Sequence, residues 1–257
     1  MKTFEGKVAI ISGATSGLGR SIAIEFAKKG ANVSICGRRE KEGLETVELI
    51  KKEGVNALFT PCDISKENQV QFFLEETIKV FGKIDFAINN AAVAGSLVPL
   101  TEYTEEAWDN VVNINLKGTF FSMKHEVIAM LKNPMGGTIV NVSSALGLVG
   151  GRFGVTPYSA SKHGVIGLTK SAALEYSRKK IRINAICVGI MDTEMNDQVL
   201  RLAKDFAEAK TAQAKSFPLG RIASPEEVAK SAVWLCSEEA SFITGVALPV
   251  DGGWTAQ

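Results

Sequence analysis

Short apolar runs alternate along this chain with longer stretches in which apolar residues recur at a helical period. The runs at residues 8–11, 32–36, 57–60, 84–88, 138–142, 182–187 and 246–250 predict strands. The stretches 18–29, 41–52, 67–81, 106–131, 158–178 and 225–236 predict amphipathic helices. Ser224, Pro225 and Glu227 mark the start of the last helix, with the serine as N-cap and the glutamate completing a capping box. Such β-α alternation predicts an α/β fold, a doubly wound parallel sheet of about seven strands with helices on both faces. No Pro/Ser-rich linker or repeat interrupts it, so residues 1–257 are expected to form a single domain. The irregular stretch 191–217 follows the sixth strand and is a candidate substrate lid, because ligands of such sheets bind beyond the carboxyl ends of the strands.

Charge narrows the function classes. The 257 residues carry 29 basic and 28 acidic side chains, a net charge of +1, which offers no global field for nucleic acid or an anionic membrane. The apolar runs are too short to span a bilayer, and the N-terminus has no apolar signal region, so a cytoplasmic protein is expected. Cys36, Cys62, Cys187 and Cys236 are scattered without disulfide or metal-ligand spacing, which fits reduced thiols. His125 and His163 are the only histidines, leaving little material for a metal site or a Ser/His/Asp triad.

Three clusters carry chemistry. After the first strand, Gly13, Ser16, Gly17, Leu18 and Gly19 form a glycine-rich turn into a helix, where backbone amides can hold a pyrophosphate. The second strand ends in Gly37, Arg38 and Arg39. A carboxylate gripping ribose hydroxyls is absent there, and an arginine suits a 2′-phosphate, so NADP(H) is favoured and NAD(H) remains possible. Tyr158 and Lys162 stand four residues apart on one helix face. An ammonium ~4 Å from a phenol favours the phenolate by about 4 kcal/mol at an effective dielectric of ~20, roughly three pKa units. The spacing therefore predicts a tyrosine brought into acid-base range.

In order and spacing, the motifs resemble a short-chain dehydrogenase/reductase of the compact kind. They are the loop from Gly13 to Gly19, Asp63-Ile64, Asn89-Asn90-Ala91, Asn115, Ser143-Ser144, Tyr158 with Lys162, Val188-Gly189 with Thr193, and Val250-Asp251-Gly252-Gly253. The resemblance implies a Rossmann-type fold and hydride transfer between NAD(P)(H) and a small-molecule carbonyl or secondary alcohol. It implies Tyr158 as general acid/base, Ser144 against the substrate oxygen, and Lys162 also on the nicotinamide ribose. Asn115 would hold a water that links Lys162 to solvent. Asp63 and Ile64 would meet the adenine, Asn89, Asn90 and Ala91 the ribose, and Ile190 and Thr193 the carboxamide. For Asp63, Thr193 and above all Asn90, a purely structural role competes.

A homotetramer is also implied, with Gly164, Gly167 and Ser171 permitting close packing on one helix face. Ala92 and Val188 depart from the family's Gly and Pro. Arg152, Phe153, Val93, Ala145, Met191 and Met195 are candidate pocket residues. A 3-oxoacyl carrier-protein reductase is the alternative enzyme, with Arg178, Lys179 and Lys180 as a landing surface for the acidic carrier. A catalytically silent cofactor-binding regulator is the alternative of another class.

Overall fold

The computed structural model describes residues 3–152 and 154–257, so Phe153 lies outside the described residues. Seven strands form one parallel sheet: β1 (Val8–Ser12), β2 (Asn32–Gly37), β3 (Ala57–Pro61), β4 (Phe86–Asn89), β5 (Gly137–Ser144), β6 (Ile181–Val188) and β7 (Ala247–Val250). Their order across the sheet is β3-β2-β1-β4-β5-β6-β7. Each predicted strand is present, with ends moved by one or two residues.

The helices are α1 (Gly17–Lys28), α2 (Glu40–Lys51), α3 (Glu67–Phe81), α4 (Glu105–Val112), α5 (Gly118–Met130), α6 (Thr156–Tyr176), α7 (Glu194–Leu200), α8 (Phe206–Lys215) and α9 (Pro225–Cys236). Two separate cores explain the continuous apolar character of the strands. Phe26 of α1, Ile50 of α2 and Val228 of α9 pack on one face, and Phe73 of α3, Met130 of α5 and Ala173 of α6 on the other. A strand covered on both sides has no polar face to alternate with.

The predicted helix at 106–131 is not continuous. A π-helical stretch, Asn113–Lys117, separates α4 from α5. Such wide turns cost regular hydrogen bonding and persist where a side chain must be re-aimed. Here that side chain is Asn115, which is fully buried. The capping box on α9 is present as expected, Ser224 accepting from the Glu227 amide and Glu227 from the Ser224 amide.

From β1 the chain winds outward to β3 and then crosses to β4 on the other side. This reversal opens a crevice between the carboxyl ends of β1 and β4. Gly13 and Ala91 meet there: Gly13 has φ +67°, and a Cβ on it would fall 2.7 Å from Ala91 Cα. Glycine adopts that backbone without strain, and it alone allows that approach. Gly19 is packed as closely, since a Cβ would lie 2.4 Å from the Gly13 carbonyl. It shapes the loop from behind rather than facing a ligand.

Candidate active site

A cleft of about 550 Å³ runs along the carboxyl ends of the strands and joins the expected clusters. At one end it is lined by Gly13, Ser16, Gly17, Leu18, Arg38 and Arg39. Ser16 is the N-cap of α1 but makes no side-chain cap, so the first-turn amides of that helix are left to a ligand. That arrangement suits a pyrophosphate.

The two arginines differ. Arg38 is exposed and, among the described residues, has no hydrogen-bonded or ion-paired partner. Arg39 turns back onto the loop. Its Nη2 donates to Thr15 Oγ1 at 3.1 Å and to Ser16 Oγ, and its Nη1 meets Glu194 Oε2 at 3.1 Å.

Asp63 and Ile64 border the same half of the cleft. Asp63 Oδ1 also accepts from the Ser65 amide at 3.0 Å and hydroxyl at 2.8 Å, so the carboxylate closes its own turn as well as facing the cleft. Asn90 lines the cleft, yet its Nδ2 donates to the carbonyls of Ser12 at 3.1 Å and Gly13 at 3.0 Å. It ties the glycine-rich loop to β4.

Asn89 departs from its expected place beside the ribose. Its side chain points into the sheet and donates to Asn141 Oδ1 and Glu126 Oε2, each at 2.9 Å. Strand alternation is the reason: Asn89 closes β4 facing α5, and the loop that reaches the cleft begins one residue later. Glu126 is buried, and desolvation raises its carboxyl to about 8, with the Asn89 hydrogen bond opposing.

Val142, Ser143, Tyr158 and Lys162 form one wall of the cleft. The two serines separate as strand alternation requires. Ser143 is fully buried and donates to the Lys162 carbonyl at 2.9 Å. The Ser144 hydroxyl accepts from the Leu146 amide at 3.1 Å and acts on the Tyr158 phenol to lower its pKa.

The Tyr158 pKa is raised, not lowered as expected. Lys162 Nζ donates to the Val142 carbonyl at 2.8 Å and lies 5.6 Å from the centroid of the tyrosine ring. The ammonium thus sits over the ring face, tied to the backbone of β5. Desolvation raises Tyr158, and the Ser144 hydrogen bond only partly opposes it. Lys162 is itself lowered to about 8 by burial.

The Asn115 side chain is also placed differently from the water-holding role. Its Oδ1 accepts from the Val93 amide at 2.8 Å, and its Nδ2 donates to the Val93 carbonyl at 2.9 Å and to Ser161 Oγ at 3.2 Å. With every polar atom engaged, the side chain acts as a clamp between the loop after β4 and α6. It positions Val93 at the cleft.

Met191, Thr193, Met195 and Gln198 close the opposite wall. Stretch 191–217 contains α7 and α8, and a bridge between Met191 and Ala223 anchors its start. Thr193 both lines the cleft and caps α7, accepting from the Asn196 amide at 3.4 Å. The Ile190 carbonyl accepts from the Ala223 amide at 3.3 Å. Ala145 is buried in a 3-10 turn and does not line the cleft, and Arg152 is exposed.

Arg178, Lys179 and Lys180 directly precede β6, at the end of the sheet opposite the cleft. None of the three lines the cleft, so the carrier-protein alternative gains no support from them. Sequence reasoning did not reach Thr15, Cys62 or Glu194, which also face the cleft. Thr15 lies inside the glycine-rich loop, and Glu194 adjoins Thr193, but only the fold shows that both meet Arg39.

A family model described as Enoyl-(Acyl carrier protein) reductase matches residues 13–255. The chain is 37% identical over 252 residues to the short chain dehydrogenase/reductase astE of Aspergillus oryzae (strain ATCC 42149 / RIB 40), covering 98% of this chain and 95% of that protein. The crystal structure of levodione reductase superposes with a TM-score of 0.95 at 33% identity, over 98% of this chain and 99% of that one. NAD+-bound xylitol dehydrogenase superposes with a TM-score of 0.93 at 29% identity, over 97% and 99%.

Proposed function

The chain belongs to the short-chain dehydrogenase/reductase family and is an oxidoreductase that transfers hydride between a nicotinamide cofactor and a carbonyl or secondary alcohol; from that premise we propose the roles of its residues, its cofactor preference and its assembly. The cofactor supplies or accepts the hydride when bound. The cradle for it consists of the uncapped first-turn amides of α1, the close Gly13–Ala91 approach, and Arg38, Asp63 and Ile64 beyond. Ile190 and Thr193 are assigned to its carboxamide end.

Tyr158 carries the proton. In reduction its Oη donates to the carbonyl oxygen of the substrate, and in oxidation the phenolate takes the proton of the alcohol. Ser144, beside the phenol and held by the Leu146 amide, orients the same oxygen. Lys162 is buried within reach of both Tyr158 and the cleft. The observation that carries this reading is that Tyr158 and Lys162 line the cleft together, with Ser144 beside the phenol and lowering its pKa.

The cofactor is NADP(H) in preference to NAD(H). This rests on Arg38, which follows β2 and has no partner among the described residues; its guanidinium can bond a 2′-phosphate in bidentate fashion, and β2 ends in Gly37 where a ribose-gripping carboxylate would otherwise stand. The substrate is a small uncharged molecule, supported by the apolar side chains of Val93, Met191 and Met195 around the lid side of the cleft. Residues 191–217 act as its lid.

The assembly is a homotetramer in the cytoplasm. An apolar groove formed by Val112, Leu116, Phe120, Gly164, Gly167 and Leu168 supports association, and four buried free thiols support a reducing compartment. A screen of ketones and secondary alcohols, with NADPH and NADH compared as coenzymes, tests the reading. Turnover of none of them, or a preference for NADH, counts against it. Sedimentation as a monomer at micromolar concentration counts against the tetramer.

A further inference from the structure

Glu194 opens α7, the first helix of stretch 191–217, and faces the cleft from the side opposite the glycine-rich loop. Its carboxylate meets Arg39 Nη1 at 3.1 Å across that opening. The remaining nitrogens of Arg39 are also engaged: Nε donates to Thr15 Oγ1 at 3.3 Å, and Nη2 to the same oxygen at 3.1 Å and to Ser16 Oγ. The neighbouring acid Asp192 is held elsewhere, by Lys210 Nζ at 2.7 Å.

We infer that Glu194 is a specificity-determining residue, an internal anion that occupies Arg39 in place of the cofactor's 2′-phosphate and so couples cofactor choice to the position of α7. A guanidinium has a fixed fork of donors, and one fork that faces a carboxylate is not available to a phosphate. A cofactor without the 2′-phosphate leaves the Arg39–Glu194 contact in place. A cofactor with it draws Arg39 away, which leaves Glu194 unpaired beside an added anion and detaches the first turn of α7 from the glycine-rich loop. Arg38 is then the arginine that favours the phosphate, and Glu194 the residue that limits the preference. The inference rests on the reading of the cleft as a nicotinamide-cofactor site.

The test is direct titration of the full chain with NADPH and with NADH, followed by protein fluorescence, for wild type, Glu194→Gln, Arg39→Ala and the double variant. Glu194→Gln is expected to tighten NADPH by about three- to fivefold, the range open to an exposed ion pair, while NADH moves by less than twofold. The gain should vanish when Arg39 is alanine. Equal changes for both cofactors, no change for either, or the same gain without Arg39 overturns the inference and leaves the cofactor reading standing. A wild-type chain that binds neither nucleotide overturns both.

Discussion

Lys162 Nζ lies 5.6 Å from the ring centroid of Tyr158 and donates to the Val142 carbonyl at 2.8 Å, so the charge expected to activate the phenol is tethered to the backbone. Burial then acts on both groups in opposite senses. It raises the tyrosine, with Ser144 partly opposing, and lowers the lysine to about 8.

This sets a pH dependence for the free enzyme, which kcat/KM reports. Above pH 8 Lys162 loses its proton and no longer offers an ammonium to the phenol or the cofactor. The kcat/KM of carbonyl reduction is expected to fall with an apparent pKa near 8. Lys162→Arg, whose guanidinium stays charged, should move that limb out of range whatever it does to the plateau. A limb unchanged in the variant assigns it to another group.

Tyr158→Phe removes the proton donor and keeps the ring that packs the cleft wall. Turnover should drop ~100-fold or more, the usual cost of losing a general acid, with the unfolding midpoint and cofactor dissociation constant little changed. Retention of more than about a tenth of wild-type turnover would sink the assignment of Tyr158.

Arg38→Ala should weaken NADPH by roughly ten- to a hundredfold, the equivalent of ~1.5–3 kcal/mol for one charge-assisted contact, and leave NADH nearly unaffected. Equal weakening of both would place Arg38 against the adenine, where it reads no phosphate.

Glu126 links pH to stability. Its carboxyl is raised from 4.5 to about 8 by burial, so between those values the folded chain keeps a proton that the unfolded chain has released. Stability therefore falls as pH rises from 4.5 to 8, and the loss is complete above it; the full penalty is on the order of a few kcal/mol. Glu126→Gln should flatten this slope and keep an oxygen to accept from Asn89 Nδ2. Chemical unfolding at pH 5 and pH 8 measures it, and an equal slope in both proteins would show that another group titrates.

The alternation of apolar runs with helical periods determined the seven strands, the parallel sheet and all but one of the expected helix spans. That information is local: a strand buried on both faces must be apolar throughout, and a covering helix must be amphipathic. The glycine-rich turn, the Tyr158–Lys162 spacing and the Ser143–Ser144 alternation were legible for the same reason, since each lies within one element or one turn.

The tertiary structure decided what depends on contacts between distant residues. It turned Asn89 toward Asn141 and Glu126, broke the helix at Asn115 so that its carboxamide clamps Val93, and paired Arg39 with Glu194, 155 positions away. It also set Arg178, Lys179 and Lys180 before β6, at the end of the sheet opposite the cleft. Residue type and spacing name a group's chemistry. Its charge state and aim follow from burial and from the partners that folding brings beside it: for Lys162, burial set the first and the carbonyl of Val142 on β5 the second.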